Sequence, residues 1–141
     1  MSKKKVVFCL PVLNKPYEVT VASLEASLPA VEAAGYEHGM VQTVNVPYIS
    51  AARASMLRAA LDAKAEMIVF IDYDVAWRPQ DMVKLLDTEG DVVAGTYRCK
   101  IDDEQYMGTI EHDASFAPKV RQSDGAISAK LIPAGFLKLT N

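Results

Sequence analysis

Asp72 and Asp74, one residue apart, close the segment Glu66-Met67-Ile68-Val69-Phe70-Ile71-Asp72-Tyr73-Asp74. Two carboxylates held close repel each other, and one keeps its proton unless a cation joins them. Oxygen ligands of this kind suit a hard divalent ion such as Mg²⁺ or Mn²⁺. In an extended chain residues i and i+2 point the same way, so Asp72 and Asp74 face one point if strand geometry persists through Tyr73. The preceding run is β-branched-rich and apolar on both faces, the pattern of a buried strand in a parallel sheet. In open α/β sheets ligands bind beyond the carboxyl ends of the strands, where these two carboxylates fall.

Strands and helices alternate around this segment. Lys5 to Leu10 reads as a first strand ending at Pro11. Pro16 to Ala34 reads as a helix with an apolar stripe of Val21, Leu24, Leu28 and Val31 and a stop at Gly35. Pro29 is expected to kink or end that helix early. Gly39 to Val46 reads as a second strand closed by Pro47, and Ser50 as the N-cap of a helix reaching about Ala63. Pro79 opens a short helix carrying Met82, Val83, Leu85 and Leu86, and Asp91 to Tyr97 reads as a fourth strand. Beyond Lys100 the pattern shortens: strands over Tyr106–Glu111, Lys119–Gln122 and Ala126–Ile132, with a turn at Ser123-Asp124-Gly125. The expectation is one α/β domain over 1–141. Residues 1–100 form a mostly parallel βα part flanked by helices, and 101–141 an antiparallel addition. The final stretch, Pro133 to Asn141, is apolar and strand-like. A domain rarely stops on such a segment with nothing after it to pack against, so a shortened chain is the expectation.

The bulk composition narrows the partners. With 141 residues, half of them hydrophobic and 23% charged, the chain has the makings of an ordinary globular core. A net charge of −3 argues against general nucleic-acid binding, which needs a basic surface. Lys3-Lys4-Lys5 is the one basic cluster and reads as a solvated lead-in. The apolar run Val6 to Leu10 is too short for an export signal, and no run approaches the ~20 apolar residues of a membrane helix. Cys9 and Cys99 have no metal-binding spacing, fall in expected strands and read as buried free thiols. A cytoplasmic location is the corresponding expectation.

The ordered set Val69-Phe70-Ile71-Asp72-Tyr73-Asp74, then Trp77-Arg78-Pro79-Gln80-Asp81 and Leu85-Leu86, then Asp91-Val92-Val93-Ala94-Gly95-Thr96-Tyr97, resembles GT-A glycosyltransferases. It is most similar to glycosyltransferase family 2-like proteins of bacteria and their viruses. Their pattern is an apolar strand ending in Asp-x-Asp, a short helix, then a strand ending in Gly-x-Tyr. Ile49 to Leu57 resembles the family's preceding helix, with Ala54 where Ala-Arg-Asn would place Asn. Ala134-Gly135-Phe136-Leu137 resembles its Gly-Phe strand. The resemblance implies a GT-A-like fold and a metal-dependent transfer of sugar from a nucleotide-diphospho-sugar to an acceptor hydroxyl on a glycan, lipid or protein. It implies a nucleoside held by Pro11, Val12 and Asn14, and by Gln42 to Asn45. Asp72 and Tyr73 are then at the donor, Asp72 and Asp74 at Mn²⁺ or Mg²⁺, and Arg53 at the phosphates. The family's acidic residue near the second strand has no counterpart here, which leaves the nucleotide open.

Two departures keep other readings in play. The family's catalytic base lies beyond the Gly-Phe strand, past the last residue of this chain, and Glu111, Asp113, Asp102 and Asp103 are the remaining acids. A non-catalytic module that binds a nucleotide-sugar or a partner protein is therefore one alternative. A metal-dependent phosphohydrolase is another, although such enzymes place a nucleophilic aspartate at the end of the first strand, where this chain has Leu10-Pro11-Val12-Leu13-Asn14. Blander roles also stand beside the sharper ones. Asp74 reads equally as a turn cap, Arg53 as a surface charge, Trp77 as packing and His112 as a solvated turn residue. Tyr97 and Arg98 lie at a strand exit on the same rim as Asp72. An open sheet edge would invite pairing between copies.

Overall fold

Runs that are apolar on both faces need cover on both faces, and β1 (Lys4–Val12) and β3 (Met67–Ile71) are the two such runs. The structure, a computed structural model, describes residues 2–141. β1 and β3 pair in parallel, from Val6 opposite Met67 to Cys9 opposite Phe70. β2 (Tyr36–Val44) pairs in parallel on the other side of β1 and forms one edge of the sheet. Beyond β3 lies β7 (Phe136–Thr140), antiparallel, and beyond it β4 (Val92–Ala94), antiparallel to β7 in turn. The result is a mixed, mostly parallel sheet in the order β2-β1-β3-β7-β4, flanked by helices.

Side-chain alternation along the two buried strands divides the core into two layers. Val6, Phe8, Leu10 and Val12 of β1, with Met67, Val69 and Ile71 of β3, meet α1 (Glu18–Ala33) and α3 (Pro79–Asp87) through Leu24, Val31, Met82, Leu85 and Leu86. Val7, Cys9, Ile68 and Phe70 point the other way, onto Met56 and Ala60 of α2 (Ile49–Asp62).

Several boundaries differ from the sequence reading, each for a physical reason. Ser50 is not the N-cap of α2. The helix starts at Ile49, its cap is Tyr48, two residues before Ser50, and no side chain caps it. Pro29 neither ends nor shortens α1, which runs on to Ala33. Its ring lies on the exposed face, where water can take the carbonyl its missing N–H leaves unpaired. β2 begins at Tyr36, three residues before the expected Gly39. The fourth strand shrinks to Val92–Ala94 and is not a neighbour of β3, because β7 stands between them. The terminal apolar segment therefore has partners on both sides. Cys99 lies outside any strand and is only part-buried.

β7 also carries a lysine into the core. Phe136 and Lys138 face the α1–α3 layer, and the Lys138 side chain is 3% exposed. Its ammonium donates to the Leu86 carbonyl at 3.3 Å and to that of Thr88, at the C-terminus of α3. A cation there meets the negative end of the helix dipole and satisfies carbonyls that have no intrahelical donor. Burial still holds its pKa below the usual lysine value.

From Ile101 to Ile132 all but two residues, Glu111 and Ala126, are exposed. The expected strands there contract to β5 (Thr109–Ile110) and β6 (Ala129–Leu131), paired antiparallel with an irregular register. Lys119–Gln122 leaves only a single bridge, Val120 to Ile127. A ribbon with no apolar face against a core has little to extend its ladder. The expected turn at Ser123–Gly125 is present, with Arg121 N–H donating to Ala126 at 2.7 Å and Gly125 N–H to Arg121 at 2.8 Å.

Two outcomes follow for the fold. Pro29→Ala restores a helix-interior donor and should raise stability by about 1–3 kcal/mol, read as a higher urea midpoint at unchanged slope. Burial pushes the Cys9 thiol up to about 12, so Ellman's reagent at mildly alkaline pH should find Cys99 alone in the folded chain and both thiols in concentrated urea.

Candidate functional site

β3 ends at Ile71, and the strand does not continue through the two aspartates. The Asp72 N–H makes one further ladder bond, to the Gly135 carbonyl at 2.9 Å, and the chain then turns over Tyr73 and Asp74. Extended geometry is therefore not what brings the carboxylates together. The loop is instead laced to α1. The Tyr73 carbonyl accepts from Tyr17 N–H at 2.8 Å and from the Thr20 hydroxyl at 3.0 Å. Trp77 donates its indole N–H to Ser27 at 2.9 Å and its backbone N–H to Ser23 at 3.3 Å. Thr20, Ser23 and Ser27 make a buried polar stripe one helical turn apart, so each hydroxyl needs a partner and finds it in this loop or in α1. Trp77 stacks obliquely on Phe136 with ring centroids 5.3 Å apart. It is a packing residue.

The two carboxylates take different cations. Arg53, from the first turns of α2, donates to Asp72 Oδ1 at 2.9 Å in a part-buried pair. Its Nε is buried without a partner, so Asp72 alone does not satisfy the guanidinium. Asp74 Oδ2 accepts from the Lys100 ammonium, whose pKa the Asp74 carboxylate holds above the usual lysine value.

Gly135 explains how tightly the site is closed from the β7 side. A Cβ built on it would stand 2.5 Å from Asp72 Oδ2 and 2.9 Å from Asp72 Cγ, and would also overlap the Tyr97 hydroxyl. No residue but glycine lets the backbone come so near the carboxylate. The Tyr97 hydroxyl and the Asp72 carboxylate thus both crowd Gly135, and burial together with that carboxylate pushes the Tyr97 phenol pKa up. Gly95 has the same role one layer down, where a Cβ would stand 2.5 Å from the Phe136 ring.

Of the residues singled out in the sequence, Pro11, Val12, Arg53, Asp72, Tyr73 and Asp74 line one cleft of about 260 Å³ at the carboxyl ends of β1 and β3. Leu13, Val46, Pro47 and Ile49 complete its apolar wall. Asn14 is exposed and stands outside the cleft, and Gln42 to Asn45 give way to Val46 and Pro47 as its lining. The Asn45 N–H ties back to Val12 at 2.9 Å with a left-handed backbone (φ 59°), and this turn carries the next two residues over the mouth. Arg98 turns away to the Asp102 carbonyl at 3.0 Å. Of the remaining acids, Asp113 caps its own turn through Ser115 and Ala117, which hold its pKa below the usual carboxylate range. Asp102, Asp103 and Glu111 also lie on the exposed arm, away from the cleft lining.

A larger groove of about 1010 Å³ opens on the far side of Tyr97, between α3, β4 and the arm. Trp77, Tyr97, Tyr106, Met107, Leu131 and Phe136 give it an aromatic and apolar character. Lys100 and Gly135 are the site residues that reasoning from sequence left unassigned. Gly135 was legible as part of a Gly-Phe motif, whereas Lys100 lies in a stretch with no periodicity.

Among the described residues no group of three or more His, Cys, Asp or Glu side chains gathers as a metal-binding set. Asp72 and Asp74 supply two carboxylates, which is the protein share typical of a Mg²⁺-type ion completed by phosphate oxygens and water. No family model, no curated protein and no solved structure matches this chain. No helix among the described residues is long and apolar enough to cross a membrane.

Gly135→Ala should cost about 1–3 kcal/mol by overpacking against Asp72 and Tyr97. A urea midpoint equal to that of the wild type would show that the approach of β7 to Asp72 is not this close.

Proposed function

We propose that the cleft binds a nucleotide-diphospho-sugar and that the chain transfers the sugar to an acceptor hydroxyl, on a GT-A-like scaffold and with Mn²⁺ or Mg²⁺. One observation carries the reading. Arg53, Asp72 and Asp74 converge at the carboxyl ends of parallel strands, beside an apolar wall of Pro11, Leu13, Val46, Pro47 and Ile49. The wall suits the flat face of a base or sugar, and the charged end suits a diphosphate. Arg53 is held by Asp72 with donors to spare, and a guanidinium fork matches phosphate oxygens. Asp72 and Asp74 would hold the divalent ion, which would supply charge neutralisation for a departing diphosphate. Tyr97 lines the larger groove and its hydroxyl closes on the Gly135 backbone beside Asp72, so an acceptor lying along Tyr97 and Tyr106 would present its hydroxyl toward the donor.

A second reading has its own support. None of Asp102, Asp103, Glu111 and Asp113 lines the cleft, so no acid of the arm is placed there to take the acceptor's proton. A module that binds the nucleotide-sugar without transferring it is consistent with that.

Calorimetric titration of uridine and guanosine diphosphate sugars, with and without Mn²⁺, tests the donor site. Metal-dependent binding is expected in the wild type, weakened about tenfold or more in Asp74→Ala. Absence of binding by the folded wild type would sink the reading. Release of free nucleoside diphosphate in the presence of a glycan, lipid or peptide acceptor separates transferase from binding module.

A further inference from the structure

Between Tyr97 and Met107 the chain leaves the sheet and returns as a hairpin. Met107 N–H donates to Tyr97 at 2.9 Å and Cys99 N–H to Gln105 at 2.7 Å, with a bridge between Arg98 and Tyr106. The Thr96 hydroxyl closes the base on Met107 at 2.7 Å, and Arg98 braces the far end on the Asp102 carbonyl. This hairpin contributes nothing to the buried core beyond Tyr97. Its link to the cleft lining is Lys100, whose ammonium sits on Asp74 Oδ2.

The two partners differ sharply in exposure. The Lys100 side chain is 75% exposed and the Asp74 side chain only 19%. The lysine reaches in from solvent onto a carboxylate that is largely covered. A long, solvated side chain leaves such a contact at little cost in packing. Asp74 stays where the turn over Tyr73 puts it. The local charge is balanced: Arg53 and Lys100 supply two positive charges, Asp72 and Asp74 two negative ones. An anionic ligand entering this neutral cluster would meet both carboxylates with both cations already engaged.

We propose that Lys100 is the exchangeable cation of the cleft. A divalent ion takes the Asp74 carboxylate in its place, and the released ammonium, tethered at the mouth, then binds the phosphate oxygens of the ligand. This rests on the reading of the cleft as a diphosphate site. No covalent bond changes: one ion pair opens, the ion–carboxylate and ammonium–phosphate contacts form, and the ion's charge offsets that of the ligand. Lys100 therefore opposes the ion alone and favours the anion once the ion is bound. Ion and anion reinforce each other's binding, and the coupling is reciprocal.

The test uses two probes on the whole chain. Mn²⁺ alone is titrated by the electron-paramagnetic signal of the free ion, and uridine or guanosine diphosphate is titrated at saturating Mn²⁺. Lys100→Gln should bind Mn²⁺ about three- to tenfold more tightly and the nucleoside diphosphate about tenfold more weakly. Lys100→Arg should stay near the wild type in both. The opposed signs separate this role from a structural one, since a loosened hairpin would shift both affinities the same way or neither. If wild type binds both probes and Lys100→Gln shows no opposed shift, the exchange is wrong and the donor-site reading stands. If folded wild type binds neither probe, the donor-site reading fails and the role of Lys100 fails with it.

Discussion

The antiparallel insertion of Phe136–Thr140 between β3 and β4 is the constraint on which the remaining geometry rests. Through it Asp72 gains its last ladder bond, to Gly135, and the Gly135 backbone comes up close against the Asp72 carboxylate and the Tyr97 hydroxyl. The same strand sends Phe136 under Trp77 and Lys138 under the end of α3. Without β7, β3 would keep one sheet neighbour and β4 none. The loop with the two aspartates is thus clamped from two directions. β7 holds its start, and the hydroxyls of α1 hold its middle and end.

That second clamp shows how polar groups in a core can position a site. Thr20, Ser23 and Ser27 occupy buried helix positions where alanine would be the cheaper residue. Their hydroxyls are satisfied within the fold, so burial costs little, and a loop with no regular structure acquires fixed donors and acceptors along α1. Arg53 works from the opposite face of the sheet. α2 packs against β1 and β3 through Met56 and Ala60, which sets the guanidinium one turn back over the end of β3. The carboxylate pair is therefore held by elements on both layers of the fold.

Much of this was legible in the residues. The doubly apolar runs gave β1 and β3, the helical stripes gave α1, α2 and α3, and the Asp-bearing strand exit gave the cleft, because each signal is local and periodic. Pro29 misled because propensity says nothing about exposure, which decides whether the unpaired carbonyl can be hydrated. Ser50 misled because α2 is held by its packed face and not by its cap. The position of β7 was invisible for a different reason: its pairing partners lie 43 to 73 residues away, and no local pattern encodes them. Cys99 and Lys100 fall where the periodic signal stops, so neither burial nor contact could be read there. Asn14 was placed by analogy of position, and the turn that follows β1 carries it outward.

A sheet whose interior strand is drawn from residues 136–140 has a temporal order built into it. During synthesis β1, α1, β2, α2 and β3 emerge first and can associate before β7 exists, although the β1–β3 pairing already spans 61 residues. Until the 136–140 segment clears the ribosome, β3 and β4 each expose an unsatisfied edge, and the apolar faces of Leu137 and Leu139 have not yet arrived to cover theirs. From the completion of β3 until residues 136–140 emerge, the nascent chain therefore carries an open, adhesive flank beside β3. Closing that flank also gives Asp72 its bond to the Gly135 carbonyl, so the sheet and the start of the aspartate loop are completed in one event.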